Sequence, residues 1–143
     1  MPDQIVPRRK LVLDMIVPRQ KDPTNPGIVL RLEGFALFVV MLLLYRELGL
    51  SWWLLVLLFL LPDLSMLAYL AGTRTGAVVY NAVHSYVLPA ALFVLGFVGE
   101  GSVPMGLGLI WGAHIALDRF LGFGLKYPGS FTDTDLQRLA RAD

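Results

Sequence analysis

Charged residues partition the chain into long uncharged stretches at 34–45, 48–62, 64–73, 75–99 and 101–117. A helix that crosses a bilayer needs about 20 mostly apolar residues and tolerates charge near its ends. The pattern therefore predicts four spanning helices, at 28–45, 50–70, 77–98 and 102–123. The fold expected from them is an all-α integral membrane four-helix bundle over 28–123, with both termini cytoplasmic. Segment 1–27 is expected to be a basic strip on the membrane surface, and 124–143 a cytoplasmic tail with one short helix. In the leader, Ile5-Val6-Pro7-Arg8-Arg9-Lys10 returns as Ile16-Val17-Pro18-Arg19-Gln20-Lys21. Paired apolar residues, a proline and a basic cluster suit an anionic lipid surface, and equally a solvated basic leader. In the tail, Thr132 and Asp135 have capping-box spacing, and Leu136 and Leu139 give one apolar edge.

Charge sets the orientation. Of 12 Lys and Arg residues, Arg8, Arg9, Lys10, Arg19, Lys21 and Arg31 precede or open the first span, and Arg119, Lys126, Arg138 and Arg141 close or follow the last. The excess of positive charge beside the first span places it on the cytoplasmic side. Four spans return the tail to that side, and Trp52 and Trp53 mark the opposite interface. The N-terminal 25 residues have no uninterrupted apolar core ahead of a small-residue cleavage site, so the first span is expected to act as an uncleaved anchor. The expected location is a membrane, crossed several times.

Composition agrees with the pattern. Hydrophobic residues make up 56% and charged residues 16%, with a mean hydropathy of +0.64, against about 45–50% and about 25% in soluble domains. An ordinary cytosolic enzyme and a disordered chain are excluded. The absence of cysteine excludes disulfides, thiolate zinc sites, iron–sulfur clusters and cysteine nucleophiles. No basic–aromatic interleaving points to nucleic acid.

Ionisable groups inside spans are costly, so each is a functional candidate. They are Glu33, Asp63, His84, His114, Asp118 and Arg119, with Asn81 beside them. With chain direction alternating, Glu33, Asp63, His84, His114 and Asp118 all fall within roughly 7–14 Å of the cytoplasmic face at about 1.5 Å rise per residue. His114 and Asp118 are four apart and share a helix face, as do Asn81 and His84 at three. Imidazoles with carboxylates at one level are ordinary ligands for zinc or another divalent ion. Pro62 frees a backbone carbonyl and can bend its span towards such a site. The expected metal ligands are Asp63, His84, His114 and Asp118, with Glu33 as general base. The same residues also suit hydrogen-bonded struts between helices. Gly108, Gly112 and Ala116 form a small-residue ridge for close helix approach, inside the bundle or in a homo-oligomer or larger membrane complex.

Three strings carry a resemblance: Leu61-Pro62-Asp63-Leu64-Ser65-Met66, Tyr80-Asn81-Ala82-Val83-His84-Ser85-Tyr86-Val87-Leu88-Pro89, and Trp111-Gly112-Ala113-His114-Ile115-Ala116-Leu117-Asp118-Arg119 with Gly122-Phe123-Gly124-Leu125-Lys126-Tyr127-Pro128 after it. Over about 28–136 the chain resembles a family of small bacterial membrane proteins known only as domain of unknown function 4260. That resemblance implies a multi-span protein of unassigned activity in a bacterial inner membrane. A looser similarity is to the YdjM-like membrane-bound metal-dependent hydrolases, whose Pro-Asp, His-Ser and His-x-x-x-Asp order is matched by Pro62-Asp63, His84-Ser85 and His114/Asp118. The chain lacks that pattern's second aspartate at Leu64 and Ser65 and its early histidine, which argues for at most one metal.

Four functions stay open on the sequence. One is a metal-assisted hydrolase acting on a lipid-like amphiphile. A second is a structural or accessory subunit whose polar layer is packing glue, and a third is ion or proton handling. The fourth is a haem or chlorin held by His84 and His114.

Overall fold

The computed structural model describes residues 26–129 and 132–141, so the leader and its repeat lie outside the described residues. The chain forms α1 (Pro26–Glu47), α2 (Trp52–Leu58), a 3-10 helix (Leu61–Ala71), α3 (Thr73–Val83), α4 (Val87–Val98), α5 (Ser102–Leu121) and α6 (Asp135–Arg141). Among the described residues there is no strand beyond one isolated bridge, Lys126 to Thr134.

Prolines set the breaks. A proline ring clashes with the carbonyl four residues earlier and removes an amide donor, so it is tolerated only in a helix's first turn. Four residues before Pro62 stands Leu58, where α2 ends, and the chain resumes as a 3-10 helix with Pro62 in its first turn. Four residues before Pro89 stands Ser85, in the break between α3 and α4, and Pro89 falls in the first turn of α4. The second and third predicted spans are therefore each two pieces rather than single helices. Taken whole, Trp52–Ala71 and Thr73–Val98 are still long and apolar enough to cross a membrane, as is Pro26–Glu47. The fourth predicted span, α5, has 20 residues but is less apolar, because it carries His114, Asp118, Arg119 and three glycines.

That difference matches its position. Its buried residues include Gly106, Leu109, Ile110, Ala113, Ile115 and Ala116, whereas α1 buries only Gly27, Gly34 and Tyr45. The other helices turn apolar side chains such as Leu43, Leu57 and Val98 outward and enclose α5. Contact is close enough to require glycine. A Cβ on Gly34 would stand 2.8 Å from Phe120 N, and one on Gly108 2.7 Å from Pro89 O. Gly112 meets Met41 of α1, and Gly106 faces Leu50 and Tyr45. The ridge Gly108, Gly112, Ala116 is thus consumed between α5 and its neighbours α1 and α4. Of the two places expected for the ridge, this is the one inside the bundle.

The pairings 34 with 116–120, 41 with 112 and 45 with 106 run α1 antiparallel to α5, and 96 with 105 and 89 with 108 do the same for α4. After α5 the chain returns beneath α3. Asn81 donates from Nδ2 to Lys126 O at 2.8 Å and accepts from Lys126 N at 2.7 Å. Thr134, not Thr132, caps α6, its Oγ1 accepting from Gln137 N at 3.3 Å. Leu136 is buried, and Leu139 is exposed.

Candidate metal centre

Each of the two proline breaks carries one site residue. Asp63 follows Pro62 in the first turn of the 3-10 helix, and His84 ends α3 with φ −96° and ψ 19°. The carbonyls released by the second break find donors on α5. Trp111 Nε1 donates to Val83 O at 2.8 Å, and Arg119 Nη2 reaches His84 O at 3.5 Å. The break is thereby held against α5, which supplies the other two site residues, His114 and Asp118, from one face.

The four side chains meet. One donor atom from each of Asp63, His84, His114 and Asp118 lies within 4.8 Å of every other. His84 Nε2 stands 3.3 Å from His114 Nε2, 3.6 Å from Asp63 Oδ1 and 3.7 Å from Asp118 Oδ2. His114 Nε2 stands 3.5 Å from Asp63 Oδ1 and 3.7 Å from Asp118 Oδ2. Four ligands at about 2.0–2.1 Å from a tetrahedral ion are separated by about 3.3–3.4 Å. Five of the six separations, at 3.3–3.7 Å, approach those of such a shell, and the sixth, between the two carboxylates, lies within 4.8 Å.

Its chemistry points the same way. His84 Nδ1 lies 3.1 Å from Tyr80 O, which can only accept, so Nδ1 carries the proton and Nε2 presents a lone pair. Such a bond from the second nitrogen is what holds a metal-binding imidazole in place. Two carboxylate oxygens and this lone pair converge with His114 Nε2, and acceptors so placed repel unless a cation or protons stand between them.

Surroundings fix the imidazoles and leave one side open. The Tyr80 ring stacks on His84 at 3.8 Å and 11°, and Phe59 meets His114 edge-on at 5.4 Å. Both histidine side chains are 3% exposed, Asp118 is 18% and Asp63 is 37%, so access is past Asp63. Lys126, buried in the tail, places Nζ 4.5 Å from the centroid of Tyr80 and 5.4 Å from that of Tyr69. Burial pulls its ammonium below the ordinary lysine value, and Asp118 and Asp63 oppose that shift.

Of the five site residues expected from the sequence, the structure brings together four and leaves Glu33 outside. Glu33 is exposed on α1, beside Gly34. Asn81 turns to the Lys126 backbone instead of the donors. The haem reading fails on distance. Axial nitrogens at about 2 Å on opposite faces of one iron need about 4 Å and a macrocycle between them, and here the two Nε2 atoms are 3.3 Å apart. Trp111 and Tyr80, which hold Val83 and His84 at the α3 end of the break, carry no mark in the sequence pattern. Pro89 was the available signal, since it requires the break whose carbonyls such residues satisfy.

Fold and site together define a helical protein with helices long and apolar enough to cross a membrane and a buried cluster of two acids and two histidines able to hold a metal ion. The chain belongs to the family described as domain of unknown function (DUF4260), which matches residues 27–139. No curated protein and no solved structure matches it.

Proposed function

We propose that this chain is a multi-pass inner-membrane protein built around one divalent metal site, with zinc the best fit, and that the site serves hydrolysis of a membrane amphiphile. The observation that carries the reading is the convergence of Asp63, His84, His114 and Asp118 donors at 3.3–3.7 Å. Zinc takes nitrogen and oxygen ligands tetrahedrally without a preference for thiolate, which suits a chain lacking cysteine. A bound divalent ion supplies Lewis acidity, polarising a carbonyl or phosphoryl oxygen and acidifying water.

The protein's own residues would do the rest. Tyr80 O orients His84, α5 sets His114 and Asp118 on one face, and Asp63 stands at the open side where a substrate would enter. The order Pro62-Asp63, His84-Ser85, His114/Asp118, similar to YdjM-like hydrolases, supports hydrolysis over simple storage. Glu33 shares the level of the donors but stands apart from them on α1, and it is given no role as base. Four spans with both termini cytoplasmic place the site in the inner leaflet.

Elemental analysis of purified protein tests the reading. About one zinc, or another divalent ion, per chain is expected, falling to background in His114→Ala and in His84→Ala. A folded wild-type protein that binds no divalent ion on reconstitution would overturn it and leave the cluster as a strut between helices, the accessory-subunit role.

A further inference from the structure

An apolar groove of about 330 Å³ opens beside the donor cluster. It falls at the small end of the roughly 300–1,000 Å³ typical of ligand sites. Leu58, Pro62, Val83, Leu92, Leu107 and Ile110 are among its lining residues. Pro62 and Val83 immediately precede Asp63 and His84 in the chain, and Ile110 lies one helical turn before His114 on the same face. The groove and the cluster therefore share three walls.

Chain direction says which way the groove runs. In the antiparallel arrangement Leu58 precedes Asp63, Leu92 follows His84 and Leu107 precedes His114, so all three lie towards the end that carries turns 48–51 and 99–101. Lys126 and Arg119 lie at the other end. From Leu107 to His114 is seven residues, which spans about 10 Å at helical rise. The space thus extends about 10 Å from the donors towards the bilayer centre, while the cations flank the opposite side. The exposed Leu61 and the half-open Asp63 place its mouth towards surrounding lipid.

The geometry points to this groove as the binding site for one acyl chain of a membrane amphiphile, with the junction between chain and head group at the donor cluster. The inference deepens the metal-site reading and rests on it for the position of the head group. The occupant is hydrocarbon because the lining offers apolar side chains, and because Trp111, whose Nε1 is engaged by Val83 O, has no donor left for a polar guest. A second apolar groove of about 370 Å³, lined by Leu37, Val40, Leu44 and Phe93 among others, adjoins none of the four donors in sequence and provides an internal control.

The test uses the full chain in phosphatidylcholine–phosphatidylglycerol vesicles containing phosphatidylcholine with a mid-chain diazirine. After irradiation, labelled residues are mapped by mass spectrometry and metal content is measured on the same sample. Expected is stronger labelling at Leu92, Leu107 and Ile110 than at Phe93 and Leu109, which line the second groove with comparable burial. That excess should be lost in Leu107→Trp and, from the facing helix, in Leu92→Trp, with metal content and control-groove labelling retained. Labelling no stronger than in the control groove, or unchanged in both variants, overturns the acyl-chain site. Groove labelling in a protein that takes up no divalent ion overturns the metal reading while the chain site stands, so the two failures are distinguishable.

Discussion

At the scale of single residues, the site depends on which atom carries a proton. The Tyr80 carbonyl commits the His84 proton to Nδ1, and a carbonyl is unchanged by side-chain substitution. Tyr80→Phe should therefore keep full metal content, whereas Tyr80→Ala, which removes the ring stacked at 3.8 Å, should weaken metal affinity by about 10–100-fold, as losses of supporting groups commonly do. Titration with zinc in competition with a chelator measures both. Asp118→Asn should be milder than Asp118→Leu, because the amide oxygen can still face the histidines. The comparison is read as metal affinity and as yield of folded protein. Metal should also be lost as pH falls. The ion needs neutral imidazoles, protons compete for the same lone pairs, and ordinary histidine titrates near about pH 6.5. Metal affinity measured against a chelator should fall between pH 8 and pH 5, and an affinity unchanged over that range would remove the histidines from the ligand set.

At the scale of elements, two prolines decide where the site can form. Pro89→Ala removes the clash that opens the chain at Ser85. The expected result is extension of α3 towards α4 and displacement of His84, with loss of metal while the protein remains helical by circular dichroism. Close helix approach is as demanding. Gly108→Leu would drive a side chain into Pro89 O and Phe93 N, and overpacking of this kind costs about 1–3 kcal/mol or more. A lower midpoint of thermal unfolding in detergent should follow, with Gly49→Ala far milder, since no atom lies within 4 Å of a Cβ there. Much of this scale was legible in the sequence. Uncharged runs located the helices to within a few residues, and equal depth singled out the four donors. Helix rotation was not legible, because the depth of Glu33 matches the others while its azimuth leaves it exposed. The breaks were only half read. Pro62 marks its break, whereas Pro89 sits inside a continuous apolar run, and the long 3-10 segment has no sequence mark beyond Pro62, since apolar spacing differs little between 3.0 and 3.6 residues per turn over so short a run.

At the scale of the whole molecule, polarity is turned inward. Leucines and valines of the three most apolar spans face outward, and the donors sit against α5. In a membrane this is the stable order, because lipid satisfies the outside and only protein can satisfy polar groups within. The proposed orientation predicts that cysteines introduced at Gly49 and Gly101 react with an impermeant maleimide added from outside intact cells, and that cysteines at Lys10 and Gln137 do not. Reaction at the termini would overturn it.

Because α5 is the least apolar of the long helices and completes both the packing and the donor set, it has a consequence for how the protein is made. In the proposed four-span topology, the first three spans leave the ribosome with Asp63 and His84 already in place and with Gly34 and Pro89 facing nothing. Until α5 arrives, two polar groups stand in the bilayer without the residues that meet them in the finished fold. Alone, α5 would enter lipid poorly, since it is the least apolar of the long helices and would carry His114, Asp118 and Arg119 into the membrane without their partners. Its insertion must therefore be a docking step onto spans already present, rather than an independent partition into lipid. Chains stopped before residue 101 should be cleared rapidly by membrane quality-control proteases. Supplying α5 with its tail as a separate polypeptide should extend their lifetime in a pulse-chase measurement.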